Sequence, residues 1–339
     1  NIYSAAFADV AGPLRPYLED DSTTELIVNG SNAVYVEKDG RLRRLEDAFE
    51  GPEQLEAFAR VLAQFVGKRL ENNARIDGRT PEGARVHIVH GPTVGGTIVA
   101  IRRASHTHRT LDDLVAKDAL TAEAAAYLRT LTRLGRNIIF TGPPSCGKTT
   151  LLGAVASELD SGLRVLVLED SRELSLPLDH VVYLEARPSD EHGEGGVTLL
   201  DLLHSSLRLR GDALVVGEVR GEEALPLVLA LTSGYASTGL STLHAASPGA
   251  ALARLETLCL MALPSMAPEA LRLLVREAVH VVVQAGRTSM GRRRVTTIAE
   301  VTPSASAPMA MFDIAPTGPQ QGQMVWTGRR SCFADDLVR

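Results

Sequence analysis

The apolar positions follow two different rhythms along the chain. In the N-terminal part they alternate. Glu25-Leu26-Ile27-Val28-Asn29-Gly30 and Ala33-Val34-Tyr35-Val36-Glu37 read as two strands turned by Asn29-Gly30-Ser31-Asn32, a hairpin. Leu55, Phe58, Ala59, Leu62, Phe65 and Val66 then recur at helical spacing. Further strands are expected over 85–89 and 97–101. From about residue 110 the rhythm changes. Short β-rich runs at 137–140, 164–168, 180–184, 213–216 and 241–244 lie beside helical patterns, which predicts a mostly parallel sheet with covering helices. Residues 280–284 and 295–298 flank a Gly/Arg turn, as an antiparallel hairpin does. Residues 302–323 are rich in Pro, Ala, Ser, Gly and Gln and read as loose. The expected fold class is α/β, with a smaller α+β domain over 1–104, a linker over 105–112, an α/β domain over 113–301 and a loose C-terminal tail over 302–339.

Bulk properties narrow the function classes. A chain of 339 residues has room for two domains and a sizeable core. Its formal charge of −6 argues against nucleic acid as the default partner, and the short basic runs at Arg102-Arg103 and Arg292-Arg293-Arg294 read as solvated surface. No apolar run approaches the ~18–20 residues of a membrane span, and no signal peptide is visible. The three cysteines, Cys146, Cys259 and Cys332, have no paired spacing. That fits a reducing cytoplasm and excludes a four-thiolate zinc module.

The chemistry concentrates in Gly142-Pro143-Pro144-Ser145-Cys146-Gly147-Lys148-Thr149. This run matches G-x-x-x-x-G-K-[ST], between a predicted strand and a predicted helix beginning Thr149-Thr150. The glycines let backbone N–H groups curl round a triphosphate, Lys148 reaches the β and γ oxygens, and Thr149 offers a hydroxyl to Mg²⁺. The helix N-terminus adds favourable potential for the phosphates. Two acidic sites refine this reading. Glu218 ends the apolar run Ala213–Val216-Gly217 and could orient Mg²⁺ or an attacking water, or be a solvated strand-end acid. Glu169, Asp170 and Glu173 follow another apolar run, and one or more of them could hold Mg²⁺ through water. His244 ends a strand, where a histidine is either a satisfied hydrogen bonder or a γ-phosphate sensor. His106 and His108 have i,i+2 spacing but no acid or thiol nearby in sequence to complete a metal site.

Together these segments resemble the bacterial secretion-ATPase superfamily of type II secretion, type IV pili and type IV secretion. The P-loop is followed by an Asp box, Leu168-Glu169-Asp170-Ser171-Arg172-Glu173-Leu174. A Walker B segment, Val216-Gly217-Glu218-Val219-Arg220-Gly221, and a His box, Ser241-Thr242-Leu243-His244-Ala245, come next in the family's order. Thr24–Gly30, Val34–Glu37, Arg187-Pro188 and Arg208-Leu209-Arg210 are similar to the CpaF/TadA-type ATPases of tight-adherence pili. The resemblance implies a RecA-like motor domain, a homo-hexameric ring and Mg²⁺–ATP hydrolysis. It further implies a cytoplasmic location at the inner face of the inner membrane, with inner-membrane pilus platform proteins as partners. By position it makes Glu218 the catalytic carboxylate, Glu173 the acid near Mg²⁺ and His244 the phosphate sensor. Arg85 and Arg102 become phosphate-reaching arginines of the N-terminal domain, with Arg103 replacing Arg102 if the register slips by one. Arg208 and Arg220 become arginines of the site or the subunit interface. The chain departs from the family at Pro143-Pro144 and Cys146, at Gly234-Tyr235 and at His244-Ala245-Ala246. The prolines remove backbone donors from the cradle, which bears on turnover more than on fold.

Overall fold

The computed structural model describes residues 10–20, 22–38, 41–80, 83–92, 94–103, 109–187, 189, 194–288, 291–302, 307–315 and 322–337. The chain divides into two units, Asn1–Ser105 and His106–Arg339.

The first unit is built on alternation. Strands β1 (Thr23–Asn29), β2 (Val34–Lys38), β3 (Arg41–Arg44), β4 (Arg75–Arg79), β5 (Arg85–Gly91) and β6 (Gly96–Arg102) form one sheet in the order β3-β2-β1-β6-β5-β4. Every neighbouring pair is antiparallel. Leu26, Val28, Val86, Ile88, Val99 and Ile101 point to one face. There they meet Leu55, Phe58, Ala59 and Leu62 of helix α1 (Pro52–Phe65). The edge strand β3 reads Arg-Leu-Arg-Arg and is exposed throughout, a charged edge that discourages pairing with other chains.

The second unit has a nine-stranded sheet. Its strands are β7 (Ile138–Thr141), β8 (Val165–Glu169), β9 (Val181–Glu185), β10 (Ala213–Val219), β11 (Thr238–Leu243), β12 (Val281–Arg287), β13 (Arg293–Glu300), β14 (Met309–Ile314) and β15 (Met324–Trp326). The order is β15-β14-β13-β12-β7-β11-β10-β8-β9. From β12 to β9 the pairing is parallel, and from β12 to β15 it is antiparallel. Helices cover both faces. Ile138, Phe140, Val165, Val167, Val215 and Val283 pack on one side. They face α2 (Leu111–Ala116), α3 (Ala122–Arg133) and α4 (Lys148–Ala156). Ile139, Leu166, Leu168, Leu214, Val216 and Val282 pack on the other. Their partners are α5 (Leu199–Ser206), α6 (Ala224–Thr232), α7 (Pro248–Ala262) and α8 (Pro268–Ala278). Strands apolar on both faces are what a doubly covered parallel sheet requires. The architecture is α/β.

Two expectations change. Residues 302–339 are more than a loose tail: β14 and β15 extend the sheet. A last helical turn at Ala334–Leu337 is tied back through Arg136, whose guanidinium pairs with Asp336 and lies 4.6 Å from the Phe333 ring centroid. The Gly/Pro-rich composition hid Met311, Phe312 and Met324, which bury against the core. At the other end, Thr110 caps α2 by accepting from the Asp113 N–H at 3.1 Å, so that helix begins inside the span read as linker. His106 and His108 lie outside the described residues.

Candidate functional site

Parallel strands place their carboxyl ends together, and the loops leaving them form the natural crevice. Here β7 sits between β12 and β11, and residues 142–147 leave its end to enter α4. Two glycines make that turn possible. Gly142 has φ +145°, and a Cβ there would lie 2.3 Å from the Ala285 carbonyl oxygen and 2.7 Å from Cys146 Sγ. Gly147 has φ +95° and forms the left-handed N-cap of α4. Pro143, Pro144 and Ser145 are exposed, whereas Cys146 is buried beneath Gly142. The cysteine therefore acts as a packing residue of the loop. Thr149 and Thr150 stand on the first turn of α4, half-buried.

Three residues predicted separately come together. Lys148 is buried, and its ammonium donates to the carbonyls of Pro143 at 3.0 Å and Gly142 at 3.3 Å. It also lies 3.1 Å from Nδ1 of His244, the residue following β11. On the other side of that ring, Nε2 lies 2.8 Å from Glu218 Oε1. A neutral imidazole protonated on Nε2 serves both neighbours, donating to the carboxylate and accepting from the ammonium. Glu218 reaches this position because the β10–β11 register breaks between Val216 and Val219, which re-aims Gly217 and Glu218. Thr242 Oγ1 fixes the bend by donating to the Gly217 carbonyl at 2.6 Å.

The Asp-box acids split into different roles. Glu169 is 4 % exposed, and its carboxyl accepts from the N–H groups of Glu173 at 3.1 Å and Leu174 at 3.2 Å. Burial pushes its pKa up to about 7, and the charges of Glu173 and Glu185 push the same way against those two donors. Asp170 pairs with the Arg220 guanidinium at 2.6 Å. Glu173 is half-buried on the loop that Glu169 pins. Arg208 is exposed just after α5. In the first unit, Arg85 and Arg102 are exposed and directly opposite across β5 and β6. Arg103 donates to the Asp20 carbonyl at 2.5 Å.

Sequence reasoning missed three participants. Glu169 was seen only as one of a group, although it ends a strand whose other residues are all apolar. Glu223 is buried and accepts from the N–H groups of Arg220 at 2.6 Å and Gly221 at 2.8 Å, locking the turn after Glu218. Arg287, at the end of β12, donates to the Ser145 carbonyl at 2.8 Å, a contact across 142 positions that no local pattern reveals.

Comparison with known proteins identifies the family. The family model "Type II/IV secretion system protein" matches residues 8–309. A Mycobacterium tuberculosis protein named for conjugal transfer is 34% identical over 297 residues, covering 85% of this chain and 84% of the relative. The type IV secretion system protein VirB11 of Brucella suis is 30% identical over 264 residues, covering 69% and 72%. The pilus retraction motor PilT with bound ADP is 17% identical with a TM-score of 0.60, covering 87% of this chain and 84% of PilT, a likeness of fold. With a family match across most of its length, a RecA-like sheet and a P-loop at the end of β7, this chain belongs to the type II/IV secretion system ATPase family.

Proposed function

We propose that this chain hydrolyses Mg²⁺–ATP at the 142–149 loop and works as a homo-hexameric motor of tight-adherence pilus assembly, on the cytoplasmic face of the inner membrane. The observation that carries hydrolysis is the chain of contacts Lys148–His244–Glu218. It joins the phosphate-binding cation to a half-exposed carboxylate through one imidazole. In this reading Lys148 leaves the Gly142 and Pro143 carbonyls for the β and γ phosphates. Glu218 orients the attacking water and takes its proton. His244, relieved of the ammonium, links the presence of the γ-phosphate to Glu218. Arg85 and Arg102 supply positive charge for the nucleotide phosphates, and Arg208 and Arg220 act at the site or at the subunit interface.

The residues present suit magnesium. Among the described residues no three His, Cys, Asp or Glu side chains gather into a cage. Mg²⁺ needs none, because it keeps waters and phosphate oxygens and takes one or two hard protein oxygens. The Thr149 hydroxyl and the carboxylates of Glu218 and Glu173 are such donors. When bound, the ion neutralises charge on the β and γ phosphates.

The test is steady-state Mg²⁺-ATPase activity of the wild type beside Glu218→Gln, with nucleotide affinity and particle mass measured on both. Glu218→Gln is expected to bind ATP normally and lose about 10²–10⁴-fold in kcat. A wild type that binds ATP as a ring yet never turns over, even with membrane partners, supports a nucleotide-dependent scaffold instead. The pilus role rests on the resemblance of the Thr24–Gly30, Val34–Glu37, Arg187-Pro188 and Arg208–Arg210 segments. The relatives' names favour a second reading, a motor of conjugal or type IV secretion. Surface pilin and plasmid transfer, scored in a deletion strain complemented with the wild type and Glu218→Gln, separate the two. No stable nucleic-acid binding is expected from either.

A further inference from the structure

The 142–149 loop has a donor deficit, since Pro143 and Pro144 carry no N–H. The remaining amides must be well aimed for the cradle to hold phosphate. One of them is controlled from outside the loop. Arg287 lies at the last position of β12, and its guanidinium donates to the Ser145 carbonyl at 2.8 Å. The 145–146 peptide is trans, so its carbonyl and its N–H point in opposite directions. Holding the Ser145 oxygen toward Arg287 therefore turns the Cys146 N–H the other way. Ser145 itself sits at φ +57°, a left-handed conformation costly to a residue with a side chain, so this peptide needs a partner to stay in place. On the paired strand, Arg293 is directly opposite Arg287, and its Cδ lies 3.5 Å from where a Cβ on Gly147 would stand. The β12–β13 hairpin thus flanks the loop on two sides.

We infer that Arg287 is a positioning residue for nucleotide binding: it fixes the Ser145–Cys146 peptide so that the Cys146 N–H faces the β-phosphate, making good the donors lost to the two prolines. The inference rests on the nucleotide-site reading above. It concerns the part of the ligand common to ADP and ATP. Arg287 acts through the backbone, so its loss weakens both nucleotides alike and leaves the chemistry at the γ-phosphate alone. Arg293 stiffens the same splint by lying along Gly147.

The experiment measures ADP and ATP dissociation constants by calorimetry, KM and kcat for Mg²⁺–ATP, and the thermal midpoint without nucleotide. The proteins are the wild type, Arg287→Gln, Arg287→Lys and the hairpin control Arg292→Gln. Arg287→Gln is expected to weaken ADP and ATP by the same factor, about ten-fold, as loss of one charge-assisted hydrogen bond does. KM rises in parallel, kcat stays within two-fold, and the midpoint without nucleotide is unchanged. Arg287→Lys recovers part of the affinity, and Arg292→Gln retains it. The inference is overturned if Arg287→Gln binds ADP as the wild type does, if it loses ATP but not ADP affinity, or if Arg292→Gln loses as much. A wild type that binds neither nucleotide refutes the nucleotide site itself and this inference with it.

Discussion

Gly142→Ala and Gly147→Ala change equivalent-looking glycines of one motif, yet the structure separates their costs. Both positions have positive φ, at +145° and +95°. A Cβ at Gly147 meets only Arg293 Cδ, at 3.5 Å, an ordinary contact with a flexible side chain. Its cost is therefore backbone strain alone, about 1–2 kcal/mol. A Cβ at Gly142 would press to 2.3 Å from the Ala285 carbonyl oxygen, part of β12. Relief requires β12 to move by roughly 1 Å from β7, against the pairs Val283↔Phe140 and Gln284↔Thr141. Loss of one or two ladder bonds at about 1 kcal/mol each, added to strain of about 1–3 kcal/mol, gives roughly 2–5 kcal/mol. At about 2–4 °C per kcal/mol for a unit of this size, Gly142→Ala lowers Tm by about 10 °C and Gly147→Ala by about 4 °C. Calorimetry of the second unit's transition, without nucleotide, reads both. Equal Tm values for the two variants, or a Gly142→Ala protein as stable as the wild type, would refute the claim that the loop is wedged against β12.

Other outcomes follow from the same structure. The native pKa of Glu169, about 7, exceeds its ordinary value of 4.5, so the folded state binds more protons between those values. This group's contribution to stability therefore falls as pH rises from about 4.5 to 7 and is flat above, by at most roughly 3 kcal/mol. Glu169→Gln should erase that slope from the Tm-versus-pH curve, and an unchanged slope would count against it. Glu300 is fully buried, bonding Tyr127 and Ser331 and accepting from the Cys332 N–H at 2.7 Å. Glu300→Ala is expected to cost about 2–4 kcal/mol and to expose the C-terminal turn to limited proteolysis. Burial and the Glu300 carboxylate push the Cys332 thiol up to about 12. Cys332 should thus alkylate slowly at pH 8 although its residue is exposed, and faster in Glu300→Gln. His244→Ala should bind ATP but lose at least ten-fold in kcat, and unaltered turnover would remove the imidazole from the proposed relay.

Most of the parallel sheet was legible because it obeys a local rule. Runs such as Leu166-Val167-Leu168 and Leu214-Val215-Val216 are apolar on both faces, and only a covered strand tolerates that. The P-loop was legible because phosphate chemistry imposes residue types at fixed spacing. Met309–Ile314 escaped because its burial depends on pairing with β13, while flanking Gly, Pro and Ser dominate the local composition. In the candidate site, Glu218 and His244 could be named singly. Their 2.8 Å contact depends on the break in β10 register, which is set by strand pairing. Arg287 and Glu169 were hidden for a related reason. One reaches a loop 142 positions away, and the other acquires its raised pKa from burial, packed so closely that a Cβ on Gly217 would stand 2.9 Å from its Cγ.

The position of β7 also governs when the motor can be assembled. Its partners are β11 and β12, and Thr141 aligns with Leu243 and Gln284. During synthesis the strand that carries the P-loop emerges long before either neighbour. At roughly 5–20 residues per second, the ~140 residues separating Thr141 from Gln284 take about 7–28 s. For that interval a strand destined for full burial has an open edge, while Ala285, against which the loop is wedged, is not yet made. The 142–147 loop therefore lacks its wedge until Ala285 has left the ribosome. The nascent chain's most vulnerable stretch in that window is the one that leads into the 142–149 loop.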